Sequence, residues 1–193
     1  LLFMPIASGP TASVQGWFAT LGGSTGGFSQ SSLRDWMRTH PDHRRITVLR
    51  HPLLRAFDAF ERFLAGEPGE EICTAIARVH KIGPRPTAEA FSAFLRFLRA
   101  NLNAQTPHRT LPQWASQSAT LQGFQSFACP DLVAREETLA EDLAPLCRRF
   151  GLDAPAFGPD PVAGRLAALQ TDDHAKHAYQ AYQRDYLTFG FTV

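Results

Sequence analysis

Ile46-Thr-Val-Leu49 is a run of apolar and β-branched residues bounded by Arg45 and Arg50, and it passes directly into His51-Pro52. Such a run predicts a buried parallel strand, because strands covered on both faces read as continuous apolar segments. Pro52 stands where a helix would begin: its φ is already helical, and the N–H it lacks would have had no partner there. The helix is predicted to reach about Ala65, with Leu53, Phe57, Phe60 and Leu64 on one face at spacings of four, three and four. Gly66 supplies the stop. No other part of the chain is so tightly constrained, and the remaining elements are placed around this unit.

Upstream, Leu1 to Met4 is a short apolar run ended by Pro5 and predicts a second buried strand. The small, turn-forming stretch Ile6 to Ser13 follows, then a helix over Val14 to Leu21. Gly22 to Ser32 (GGSTGGFSQSS) predicts a mobile loop, and Leu33 to Thr39 a helix. Downstream, helices are predicted over Glu70 to His80, from a Thr87 cap to Asn103, and over Leu111 to Gly123. Two more run from Thr138 to Phe150, with Pro145 inside, and from about Asp172 to Leu187. Gly83-Pro-Arg-Pro86 and Asp153 to Gly164 read as connections, and Leu132-Val-Ala as a short extended segment. Few strands among many helices, ordered β…βα…β, predict an α/β fold with a small parallel sheet and extensive helical cover.

At 193 residues there is room for one well-buried core and not for two ordinary domains, so a single domain over 1–193 is expected. Hydrophobic residues at 44% against 19% charged exclude wholesale disorder, and fifteen Phe predict an aromatic core. The net charge of +1 leaves no global field to recruit nucleic acid or an acidic membrane surface. Any anion site must therefore be local. No apolar run approaches the roughly 20 residues needed to cross a bilayer, so no membrane partner is expected. Cys73, Cys129 and Cys147 are odd in number and lack metal-ligand spacing, which predicts buried free thiols in a reducing, cytoplasmic compartment.

Arg50-His-Pro-Leu-Leu-Arg55 lies where the strand hands over to the helix. Helix N-termini present unpaired N–H groups and the positive end of the dipole, and so favour anions. Arg50 adds a planar, permanently charged fork suited to phosphate, and Arg55, one turn on, is within reach of the same anion. The same residues have a plainer use as salt-bridge partners of Asp58 or Glu61; an i,i+3 pair such as Arg55 and Asp58 is worth about 0.2–0.5 kcal/mol.

The segment Thr47-Val-Leu-Arg-His-Pro-Leu-Leu-Arg-Ala-Phe-Asp-Ala-Phe60 resembles the 3′-phosphate motif of sulfotransferases. That motif is an apolar strand, Arg, a small or polar residue, Pro, two variable residues, Arg, two apolar residues, Ser and an aromatic. Arg50, Pro52, Arg55 and Phe60 fall at the matching spacings. Leu132-Val-Ala-Arg-Glu-Glu-Thr-Leu-Ala-Glu-Asp-Leu143, continuing to Phe150-Gly-Leu152, is similar to the family's strand-then-Glu segment. Tyr182-Gln-Arg-Asp-Tyr-Leu-Thr-Phe-Gly-Phe191 resembles the ending of its carbohydrate- and nodulation-type branch. The three blocks stand in family order over most of the chain after Ile46. The resemblance implies a P-loop-like three-layer α/β fold that binds 3′-phosphoadenosine 5′-phosphosulfate and transfers its sulfuryl group to a hydroxyl or amine of an unidentified acceptor. It further implies Arg50 on the 3′-phosphate, Arg55 supporting it, and Ser8, Gly9 and Thr11 near the 5′ side.

Two positions depart from the family. Ile6 stands where its first-strand signature has Lys, which removes a cation from the leaving group. Asp58 stands where the 3′-phosphate motif has Ser, replacing a donor by a carboxylate that repels phosphate or neutralises Arg50 or Arg55. Three readings stay open: an enzyme using Arg44, Arg45 or Lys81 instead, a phosphate loop upstream of Leu1, or a protein on this fold that no longer transfers sulfate and instead binds a partner or anion. His108, Glu136 and Glu137 are the candidates for a base on the acceptor, and the loops Gly22 to Ser32 and Gly66 to Gly69 for its recognition. The pairs His40/His43 and His174/His177 have no evident further ligand, so no metal is expected.

Overall fold

The computed structural model describes residues 1–21, 24–25, 30–126, 128–153, 155–158 and 160–193, with residues 11, 13, 24, 25 and 30 described through their backbone alone. In chain order its elements are β1 (Leu2–Phe3), α1 (Thr11–Thr20), β2 (Ser24–Thr25), α2 (Gln30–Thr39), β3 (Arg45–Leu49), α3 (Pro52–Leu64) and α4 (Glu70–His80). They continue with α5 (Ala88–Leu102), α6 (Gln117–Gln125), β4 (Leu132–Arg135), a 3₁₀ turn (Glu136–Thr138), α7 (Leu139–Phe150), α8 (Pro161–Ala167) and α9 (Asp172–Phe189). The chain is thus a mixed α/β protein, mostly helical, with a small parallel sheet. It divides into two compact units, Leu1–Arg50 with Ala119–Gly158 and His51–Ser118 with Pro159–Val193.

The first unit holds the sheet, ordered β2-β1-β3-β4, with each neighbouring pair parallel. Alternation along β1 sorts its side chains to opposite faces. Phe3 joins Ile46, Val48 and Ala134 against Val14 and Phe18 of α1 and Leu139, Leu143 and Cys147 of α7. Leu2 and Met4 pack instead with Leu33 of α2 and Ala128. The strand read from Ile46-Thr-Val-Leu49 is therefore covered on both faces, which is why it is apolar throughout. Its one polar side chain, Thr47, is fully buried and donates its hydroxyl to the Met4 carbonyl at 2.8 Å.

At the entry to the sheet Arg45 and Asp131 exchange four hydrogen bonds. Asp131 N–H donates to the Arg45 carbonyl (2.8 Å), while the Arg45 N–H (2.8 Å), Nε (2.9 Å) and Nη2 (3.2 Å) all donate to the Asp131 carboxylate. The Arg45 guanidinium, against a smaller cost of burial, holds the Asp131 carboxyl below the ordinary carboxylate range. A depressed folded pKa stabilises the fold above the unfolded value of about 4, and that contribution is lost as pH falls through the folded value. Asp131→Asn is expected to flatten acid unfolding below about pH 4 by removing up to ~1 kcal/mol. An acid-unfolding midpoint and slope identical to the parent chain's would refute it.

The second unit is built on phenylalanine. Phe57, Phe60 and Phe63 of α3 and Phe91, Phe94 and Phe97 of α5 are all buried, with ring centroids 5.2–5.9 Å apart along the chain of contacts Phe57–Phe91–Phe60–Phe94–Phe97. Phe63, 5.2 Å from Phe94, takes the core place expected for Leu64, which is only half-buried. Pro52 opens α3 as expected, the His51 ring accepts from the Leu53 N–H, and Gly66 follows the helix at φ +80°.

Several boundaries differ from expectation. The helix predicted from Leu111 starts only at Gln117, because the carbonyls a helix would need there are held by side chains described below. The connection Asp153 to Gly164 contains α8, whose Asp160 accepts from the Val162 N–H at 2.9 Å and whose Pro161 sits at its start. Within the stretch read as a mobile loop, Ser24–Thr25 pairs with β1 and Gln30 opens α2; positions 22, 23 and 26–29 lie outside the described residues. The three cysteines are free thiols, but Cys129 is exposed rather than buried. Among the described residues no helix is long and apolar enough to cross a membrane.

Candidate anion site

In open parallel sheets ligands bind beyond the carboxyl ends of the strands, where successive connections leave in opposite directions. The chain passes from β1 to β2 on one flank and then to β3 on the other, so the crevice between β1 and β3 is that switch point. Two segments emerge there: the loop from Met4 to Pro10, and Arg50.

Ser8 lies in this loop with φ +58°, a left-handed conformation that costs a non-glycine residue of order 1 kcal/mol and is common at functional sites. The residue is 6% exposed, and its hydroxyl makes no hydrogen bond among the described residues. Gly9 donates to the Ile6 carbonyl at 3.0 Å; a Cβ on Gly9 would stand 2.8 Å from that oxygen, so the turn closes only around glycine. Thr11 begins α1, and its side chain lies outside the described residues. This helix has neither a side-chain cap nor an acidic residue in its first turn, so nothing of its own offsets the positive end of its dipole.

Arg50 closes the other side. Residues Leu49 and Arg135 are in register on β3 and β4, so the next residues, Arg50 and Glu136, come side by side at the ends of the strands. Arg50 Nε donates to Glu136 Oε2 at 2.9 Å and Nη2 to Oε1 at 3.3 Å. Its Nη1 donates to the Ser8 carbonyl at 3.3 Å, which ties β3 to the β1–α1 loop across 42 residues. The turn that carries Glu136 is fixed by Asp142, whose Oδ2 accepts from the Arg135 N–H (2.8 Å) and the Thr138 hydroxyl (2.9 Å). Ser8, Gly9, the first residue of α1 and Arg50 thus all lie in the first unit, where Arg50 meets the Ser8 carbonyl. Ile6 is 2% exposed and belongs to the core, so its position contributes no polar group.

Arg55 belongs to the second unit. It is 1% exposed, and its two terminal nitrogens donate to the Ala115 carbonyl (2.6 Å) and the Pro112 carbonyl (3.1 Å). Asp58 accepts from Arg62 at 2.8 Å, an i,i+4 pair, and the carboxylate on Arg50 is Glu136. Of the substitute cations, Arg44 and Arg45 stand at the amino end of β3, apart from the crevice at its carboxyl end: Arg45 is held by Asp131, and Arg44 donates to the His43 carbonyl at 3.2 Å. Lys81 caps α4 in the second unit. His108 has its carbonyl bound by Asn101 at 2.7 Å, and Glu137 is exposed. His174 is fully buried, accepting from the Thr171 N–H with Nδ1 and contacting the Ala88 carbonyl and Ser92 hydroxyl with Nε2. It is a structural residue of the α5–α9 packing.

Glu136 was legible only as a base candidate or a helix-start acid; its pairing with Arg50 follows from strand register, which the sequence does not display. Comparison of the chain with protein families, curated proteins and solved structures gives no match.

Proposed function

We propose that the chain is a P-loop-like, three-layer protein of the sulfotransferase type. It binds 3′-phosphoadenosine 5′-phosphosulfate at the β1–β3 crevice and transfers the sulfuryl group to a hydroxyl or amine of a small-molecule acceptor. The observation that carries this reading is the Arg50–Ser8 bond: the loop from Met4 to Pro10 meets Arg50 at the sheet's switch point, and that loop carries a buried serine hydroxyl with no hydrogen-bond partner among the described residues. Arg50 supplies the permanent charge, while Ser8 and the amino end of α1 supply hydrogen-bond donors for phosphate oxygens. No residue of the chain is assigned to the chemical step.

A second reading, a binding protein on this fold that no longer transfers sulfate, is favoured by Ile6. A fully packed aliphatic side chain stands where a leaving-group cation would be needed. The first reading requires nucleotide binding; the second, in which the chain binds a partner or another anion, does not.

Calorimetric titration with 3′,5′-diphosphoadenosine tests the first reading. Saturable binding is expected, weakened about 100-fold in Arg50→Ala, the size of one charge-assisted contact. Circular dichroism would confirm that the variant is folded. A folded parent chain that binds no nucleotide would remove the first reading and leave the second. Where the nucleotide binds, release of sulfate from the donor, or its transfer to a panel of alcohols and amines, tests turnover.

A further inference from the structure

Glu136 occupies the edge of Arg50 that a phosphate would take. The Nε and Nη2 groups of one guanidinium bind a carboxylate and a phosphate in the same forked manner, so the two anions compete for it. From this geometry we infer that Glu136 is a specificity-determining residue. It holds the Arg50 fork, rejects free inorganic anions, and yields only to a phosphate that brings further contacts, such as that of a nucleotide. The inference rests on the donor-site reading above.

The two partners are unequally fixed. The Arg50 side chain is 5% exposed and anchored to the Ser8 carbonyl, so it is part of the wall. Glu136 is 21% exposed at the side chain and stands at the head of a three-residue 3₁₀ turn, whose hydrogen bonding is weaker than that of an α-helix. The carboxylate is the more open of the two to water, so displacement moves Glu136.

Charge gives the selectivity. With Glu136 in place the pair is formally neutral, and the field that would draw a small anion into the crevice is cancelled. An inorganic anion that took the fork would exchange one bidentate partner for another and gain little. A ligand that also engages the Ser8 hydroxyl and the amino end of α1 gains more than it displaces.

The test uses the full chain, its Glu136→Gln and Glu136→Ala variants, and the double variant Arg50→Ala/Glu136→Gln. Each is titrated with 3′,5′-diphosphoadenosine and, separately, with inorganic pyrophosphate. The parent is expected to bind the nucleotide and not pyrophosphate. Glu136→Gln keeps the size of the side chain and an acceptor for Arg50. It should bind the nucleotide about tenfold more tightly or better, since a like charge beside the phosphate is gone. It should also acquire pyrophosphate binding, and the double variant should lose both gains. Unchanged or weaker nucleotide affinity in both single variants, at an unchanged Tm, would overturn the inference: Glu136 would then orient Arg50 rather than guard it. Pyrophosphate binding by Glu136→Gln alone, with no nucleotide bound by any chain, would keep the guard and remove the donor-site reading. No anion bound by either single variant would overturn the guard itself.

Discussion

Arg55→Ala is expected to cost the second unit on the order of 3–5 kcal/mol, seen as a lower urea midpoint. Arg55 is buried on α3, and its guanidinium spans two carbonyls, Pro112 and Ala115, that no helix satisfies. Truncation leaves both acceptors without a charge-assisted donor, at about 1.5–3 kcal/mol each, and opens a void the length of an arginine stem. Arg55→Lys should recover less than half of the loss, because one ammonium on a flexible stem does not reproduce the fork. The same experiment decides what kind of residue Arg55 is. A ligand-binding arginine could be truncated with little change in stability and a large loss of affinity. An unchanged urea midpoint for Arg55→Ala would therefore refute the structural role of Arg55.

Arg50 and Arg55 show how far sequence reasoning reached. Their spacing is that of a single motif, and local pattern read both as cations at a strand-to-helix turn. Arg50 ends a strand whose neighbours in the sheet bring it Ser8 and Glu136. Arg55, five residues later, lies on the face of α3 that packs inward, and there a long polar side chain must find partners inside. Periodicity identified that face through Leu53, Phe57 and Phe60 but says nothing about which loop its arginine will meet. What was legible was short-range: the β3–α3 unit, α4 to the residue, the Thr87 cap of α5, and the glycine stops at Gly66 and Gly151. What was not legible was made by contacts between residues 13 to 86 positions apart. The Leu111 region has the apolar content of a helix. It folds otherwise because Trp114 is drawn into the core, its indole N–H donating to Asn101 Oδ1 at 2.9 Å, and its neighbours' carbonyls are claimed from outside. Tertiary contacts outweigh a helical preference worth only tenths of a kcal/mol per residue.

Asp185→Ala should be nearly as damaging as Arg55→Ala, for the complementary reason. Asp185 is fully buried on α9, and its two oxygens accept from the backbone N–H groups of Gln117 (2.7 Å) and Ser118 (2.9 Å), the first residues of α6. One turn earlier, Tyr182 donates its hydroxyl to the Trp114 carbonyl at 2.9 Å, and burial holds that phenol well above its ordinary pKa, so it remains a donor. The helix is locally opened at Tyr182 (φ −115°, ψ 29°), which lets both side chains face the same segment. The stretch from Pro112 to Ser118 is thus held through its carbonyls by Arg55 and Tyr182 and through its N–H groups by Asp185. Asp185→Ala orphans two buried donors at the positive end of a helix, a loss of about 3–4 kcal/mol. Asp185→Asn should cost somewhat less, since one acceptor oxygen survives while the new NH₂ faces a backbone donor. Because one segment is held from both sides, the effects should not add. Once either residue is removed the stretch is released, and the second removal should cost 1–3 kcal/mol less than it does alone. Urea unfolding of Arg55→Ala, Asp185→Ala and the double variant measures that difference; strictly additive losses would mean the two residues act on separate structures, and the segment is not the shared element described.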